Sequence, residues 1–248
     1  MTLRFVSLLF LFLHTSPFLH AQKLKDILDK AKSTLQKPAA GALTQGEVGA
    51  ALREALDKGV GEAVSRLSAN DGYHASVYKI LLPEEARVVV ERLKVVPGFQ
   101  RVESDLILRM NRAAELAAKE AGPIFLGAIQ SLTFADAMGI LKGKADAATR
   151  YLEGKTDSAL TAAFLPSIGK ALDAVNARTL WRDAVSAYNR IPLVQKVNPE
   201  LDRHVTDRSL DGMFALIEVK EKTIRTEVSA RTTDTLRKVF GSLDKPMP

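Results

Sequence analysis

Apolar residues recur along this chain at spacings of three and four, the period of an amphipathic helix, with Ala, Leu, Glu, Lys and Arg filling most positions between them. Leu24, Ile27, Leu28, Ala31 and Leu35 share one side of a helix expected over 23–36, which Lys37-Pro-Ala-Ala-Gly41 breaks. Thr44-Gln-Gly-Glu47 has capping-box spacing and opens a second helix, carrying Val48, Leu52, Leu56, Ala63 and Leu67 on one face. Gly59 and Gly61 within it suggest a kink or a close crossing, and Asn70-Asp-Gly72 stops it. Only residues 73–82 suit a short extended segment. Pro83 followed by Glu84 and Glu85 starts the next helix, because proline fits a first turn and acids complement its dipole.

Further helices are expected over 100–121, from Pro123 through Leu132, and from a Thr133/Asp136 start to Leu141. Others follow over 144–153, over 156–176 with Pro166 as a kink, over 178–190, over 205–228, and from Thr232 to Phe240, where Gly241 terminates the chain's last helix. The pattern predicts an all-α, single-domain bundle of kinked and crossing helices over 22–243, with a frayed tail over 244–248.

The first residues break the amphipathic rule. Arg4 precedes the run Phe5 to Leu13, and helix-breaking Pro17 and small Ala21 follow, the order of a secretory signal peptide over residues 1–21. A run of nine residues is too short to span a bilayer core, which takes roughly 20 in a helix. The expected location is the periplasm or envelope, with no transmembrane segment in the mature chain. Cysteine is absent, so neither a lipid anchor on cysteine nor a disulfide is available. Removal of 21 of the 248 residues leaves 227, enough for one core without staples. The net charge of +6 is spread without like-charge blocks and favours solubility rather than nucleic-acid binding, since aromatics fall on apolar faces instead of between basic residues.

Chemistry is sparse. Beyond residue 21 the only histidines are His74 and His204, and with no cysteine they do not make an ordinary zinc site. Gly154-Lys155-Thr156 lacks the earlier glycine of a phosphate loop, since Thr149 stands there, and it falls in a helical context. No cofactor is implied. One anomaly stands out in the helix over 205–228. With Phe214 at zero, Leu210, Ile217 and Val228 lie within about 60° of it, and Glu221 and Arg225 within about 20°. Two opposite charges four apart on an apolar stripe point to a buried, paired and further hydrogen-bonded couple, with Asn111 or Tyr151 as expected partners. By the same reckoning Asn111 falls at the margin of a buried face, Arg112 and Glu115 fall on the solvent side, and Glu115 pairs with Lys119.

These residues also carry a resemblance. Leu52-Arg-Glu-Ala-Leu56, Asp71-Gly72, Met110-Asn-Arg-Ala-Ala-Glu115, Asp136, Thr149-Arg-Tyr151, Thr156, Glu221-x-x-x-Arg225 and Val239-Phe240-Gly241 together resemble an exported bacterial family, the domain of unknown function 4197. The resemblance brings no activity. It implies that Asn111, Arg112, Glu115, Asp136, Thr149, Tyr151, Glu221 and Arg225 form a shared polar pattern, either a buried network that holds helix register or the lining of a cleft. The expected function is non-enzymatic binding of an envelope partner or an apolar ligand between helices. The alternative is a hydrolase-like enzyme with Glu115 or Glu221 as general base, set against the tendency of a neighbouring arginine to lower a carboxylate's pKa.

Overall fold

The computed structural model describes residues 43–197 and 201–244. The expected signal peptide and the helix expected over 23–36 lie outside the described residues, as does most of the expected tail. The chain divides into two units after Thr44, and the unit from Gln45 onward carries the helices described below. Among the described residues there is no strand, and the fold is all-α.

In chain order the α-helices are α1 (Gln45–Leu67), α2 (Glu84–Leu93), α3 (Val102–Ala117), α4 (Ala121–Gln130), α5 (Phe134–Leu141), α6 (Ala147–Ala174), α7 (Ala177–Tyr188), α8 (Asp202–Thr226) and α9 (Asp234–Phe240). The long helices α1, α6 and α8 form the centre, with α3, α4 and α5 packed around α1 and α6, α9 on α1, and α2 and α7 together at one side. Gly59 marks a close crossing. A Cβ there would stand 3.6 Å from Ile217 Cγ2 and 3.7 Å from Lys220 Cβ, so α1 and α8 meet at ordinary van der Waals distance with little to spare. Gly61, by contrast, faces open space.

The helices expected over 144–153 and 156–176 are one continuous element, α6. Its buried positions Leu152, Thr156, Leu160, Phe164 and Ile168 run on a spacing of four straight through Gly154, so tertiary burial outweighs the local cost of glycine. The Thr156 hydroxyl donates to the Leu152 carbonyl at 2.7 Å instead of capping a new helix. The core is apolar and densely interlocked, with Phe125 and Phe214 meeting edge to face at 5.6 Å between ring centroids.

Residues 68–83, joining α1 to α2, make a run of turns and then an irregular stretch rather than the extended segment anticipated at 73–82. Ile80 explains the difference. Its N–H donates to Asn111 Oδ1 and its carbonyl accepts from Asn111 Nδ2, both at 2.8 Å, so a side chain stands where a neighbouring strand would be. Tyr73 anchors the same connection from within, its hydroxyl donating to the Ser209 carbonyl of α8 at 2.7 Å. Burial pushes that phenol far above its ordinary pKa.

Candidate functional site

The polar pattern separates into three groups, and no hydrogen bond among the described residues joins one to another. The first centres on Glu221 and Arg225, both 8% exposed on the inner face of α8. Glu221 Oε1 accepts from Arg225 Nε at 2.9 Å. The same carboxylate also takes the Ala148 N–H at 2.9 Å, the Thr149 N–H at 2.7 Å and the Thr149 hydroxyl at 2.8 Å. Those amides belong to the first turn of α6, whose own N-cap residue, Asp146, supplies no side-chain cap. Arg225 meanwhile donates to the carbonyls of Ile140 and Leu141, at 2.9 and 3.2 Å, at the C-terminal end of α5. A carboxylate therefore sits at the positive end of one helix dipole and a guanidinium at the negative end of another. The partners are not the expected Asn111 or Tyr151. The stripe locates a buried pair but not which helix ends meet it.

The second group corrects the reading of α3. Asn111 is fully buried, and Glu115, expected on the solvent side, is only 4% exposed. Periodicity treated that side of α3 as open, whereas residues 68–83 fold over it. Glu115 Oε1 accepts the backbone N–H groups of Tyr73 and His74, both at 3.2 Å, and Oε2 takes Arg112 Nη1 at 2.7 Å. Its ion partner is thus Arg112 rather than Lys119. Arg112 is half-buried and reaches on to Asp71 Oδ1 at 2.8 Å, holding that carboxyl below its ordinary pKa, with His74 Nδ1 lying 3.3 Å from the same oxygen. Asp71 is at φ 64°, in the left-handed region, and Gly72 follows so tightly that a Cβ there would stand 2.3 Å from the Arg66 carbonyl oxygen.

The third group is local. Thr133 and Asp136 form a capping box at the start of α5, and these hydrogen bonds hold the Asp136 carboxyl below its usual range. The Tyr151 hydroxyl reaches Asp136 Oδ2 at 3.4 Å, and Lys155 lies over the Tyr151 ring.

One comparable residue was missed from sequence. Arg231 is 2% exposed, and it donates to the Ile224 and Arg225 carbonyls at the end of α8, at 2.9 and 2.8 Å, while gripping Asp244. Asp244 stands at the boundary of the expected tail, and Arg231 holds its carboxyl below the ordinary value. The signal was faint, since an isolated Arg231 in a polar connection shows no periodicity.

None of the eight pattern residues lines the larger spaces between helices of about 330 to 660 Å³ found among the described residues. The void beside Glu221 is about 10 Å³, at the lower limit for a single water molecule. Among the described residues no three His, Asp or Glu side chains converge as a metal site requires. The larger space lies elsewhere, a groove of about 660 Å³ between α2, α7, the first turns of α8 and residues 195–197. Its lining includes Trp181 and Tyr188, two turns apart on α7. Trp181 is 2% exposed, and its Nε1 finds no acceptor among the described residues. Leaving such a donor dry and unpaired costs about 1–3 kcal/mol. Helical periodicity assigns both rings to the core, and their burial agrees with that, but the groove beside them has no periodic signature.

A family model described as protein of unknown function (DUF4197) matches residues 42–241. The chain belongs to the DUF4197 family. The match starts just before α1 and ends at the first residue after α9, so it covers the helical unit almost end to end. No curated protein and no solved structure shows significant similarity to this DUF4197 member. No single helix among the described residues is long and apolar enough to cross a membrane.

Proposed function

We propose that this DUF4197 protein is a non-enzymatic, exported binding protein that holds an amphipathic ligand in the groove between α2, α7 and α8. The observation that carries the reading is the groove itself, whose size of about 660 Å³ falls within the range of small-molecule sites. The groove's surface is largely apolar, and Val88, 46% exposed, is a large hydrophobic side chain left uncovered in its lining. The polar pattern has a different role in this reading. Its carboxylates at Glu115 and Glu221 are buried and already engaged by backbone amides, a hydroxyl and guanidinium groups, whereas a general base needs a lone pair open to substrate. They hold helix ends and one connection in register, and that is why the hydrolase-like alternative is the weaker one.

Export is supported by the charged, apolar and small-residue order of residues 1–21. Two measurements test the proposal. N-terminal sequencing of protein recovered from a periplasmic fraction should begin at Gln22, and an intact Met1 terminus in a cytoplasmic fraction would oppose export. Native mass spectrometry of that protein should show a bound small molecule that is depleted in a Val88→Glu variant. Bare protein in every preparation would count against the groove.

A further inference from the structure

α4 lacks the polar face that a surface helix ordinarily turns to water. From Ala121 to Gln130 it carries no charged side chain, and Gln130 is its only polar one. Pro123, Leu126 and Gly127 are nevertheless exposed, Leu126 by 47%. The apolar surface continues onto α1. Val60, Gly61 and Val64 of α1 and Gly122, Leu126 and Ile129 of α4 line a trough of about 330 Å³, at the lower end of the range for small-molecule sites. The two glycines leave it unfilled, since a Cβ at either would meet nothing within 4 Å. One charged residue lines the trough, Asp57, a turn before Val60 and Gly61 on the same face of α1.

Asp57 has no cation of its own. Its carboxylate makes no hydrogen bond or ion pair with any described residue. Of the basic residues near it on α1, Arg53 donates to the Leu132 carbonyl at 2.6 Å and Lys58 to the Thr232 hydroxyl at 3.1 Å. Partial burial pushes the Asp57 carboxyl above its ordinary pKa, with no positive group to offset the lost water. A carboxylate at one end of an apolar trough is complementary to a positive head on a hydrocarbon body. From Asp57 to Val64 the trough runs about 10 Å along α1, room for an alkyl chain of medium length.

We propose that the trough between α1 and α4 binds an alkylammonium ion, its head hydrogen-bonded to Asp57 and its chain lying along Val60, Val64 and Leu126. The site shares no residue with the groove between α2, α7 and α8 and stands independently of it.

Calorimetric titration with octylamine, octanol and octanoate at neutral pH, each below its micelle concentration, tests the assignment. Octylamine should bind saturably, with a Kd about tenfold or more below that of octanol, the preference expected of one hydrogen bond to a charged group. Octanoate should bind most weakly. Asp57→Asn should remove the preference for the amine and leave octanol binding unchanged. Gly61→Leu, whose side chain enters the open trough, should abolish binding of both, whereas Val88→Glu, in the other groove, should alter neither. Equal affinity for amine and alcohol, or a preference that survives Asp57→Asn, would overturn the assignment. Binding undiminished in Gly61→Leu, or lost in Val88→Glu, would place the amine outside the trough and overturn it as well. Absence of saturable binding by all three probes would remove the site and leave the groove between α2, α7 and α8 to its own test.

Discussion

Glu221 and Arg225, one turn apart on α8, each close the end of a different helix. Glu221 accepts the first amides of α6, and Arg225 donates to the last carbonyls of α5. The short connection between α5 and α6 therefore has both its ends fixed to one ion pair on a third helix. Burial makes the charges costly, and the backbone groups they satisfy offset the cost, since those groups would otherwise be orphaned under α8.

Removing either charge strands the other together with a set of backbone groups. Glu221→Ala and Arg225→Ala should each destabilise the fold by about 3–5 kcal/mol, and the double variant should lose much less than the sum. Urea unfolding of the four proteins gives the coupling. Single variants that unfold with the parent would show the pair to be dispensable.

Glu115→Ala should cost about 2–4 kcal/mol, because it leaves the amides of Tyr73 and His74 and one arm of Arg112 without their acceptor. Glu115→Gln keeps an oxygen acceptor and should lose less. Hydrogen exchange locates the effect, with faster exchange at Tyr73 and His74 preceding any change in α6. An unaltered midpoint for Glu115→Ala would mean that residues 68–83 are held by Asn111 and Tyr73 alone.

The contrast between these two carboxylates shows what was legible beforehand. Glu221 sits on a stripe defined by Leu210, Phe214, Ile217 and Ile224, so periodicity alone placed it in the interior. Glu115 sits opposite the stripe of its own helix and is covered by an irregular connection, which has no period to read. The helix starts were legible wherever the chain carries its own cap, as at Thr133 and Asp136, and the boundary near Gly154 misled because burial of Leu152, Thr156 and Leu160 continues across it. The groove was invisible for a related reason. It is a space between α2, α7 and α8, set by how helices pack rather than by any one segment.

Gly72 makes the closest approach of residues 68–83 to the end of α1. A Cβ would fall 2.3 Å from the Arg66 carbonyl oxygen and 2.9 Å from Leu67 Cα, both backbone atoms that no rotamer change can move. Gly72→Ala should therefore cost about 1–3 kcal/mol, through displacement of the connection that carries the Glu115 and Asn111 bonds. Gly61→Ala, where a Cβ meets nothing within 4 Å, is the matched control and should be neutral or slightly stabilising through helix propensity. Equal midpoints for the two variants would refute the steric account.

Asp71 gives the fold a pH dependence whose sign can be worked out. The Arg112 hydrogen bond holds its carboxyl below the ordinary value, so the folded protein keeps this group ionised to lower pH than the unfolded chain does. The associated stability is complete above the unfolded pKa of about 3.9 and disappears as pH falls through the lower folded value. Asp71→Asn isolates the charge, because asparagine tolerates the left-handed backbone that Asp71 adopts at φ 64°. The variant should melt somewhat below the parent at pH 7, with the gap constant down to about pH 5 and closing as the pH drops below about 4. Circular dichroism melts of both proteins across that range provide the check. A gap that persists undiminished at the acid end would mean that the Asp71 side chain acts through its shape and not through its charge on Arg112.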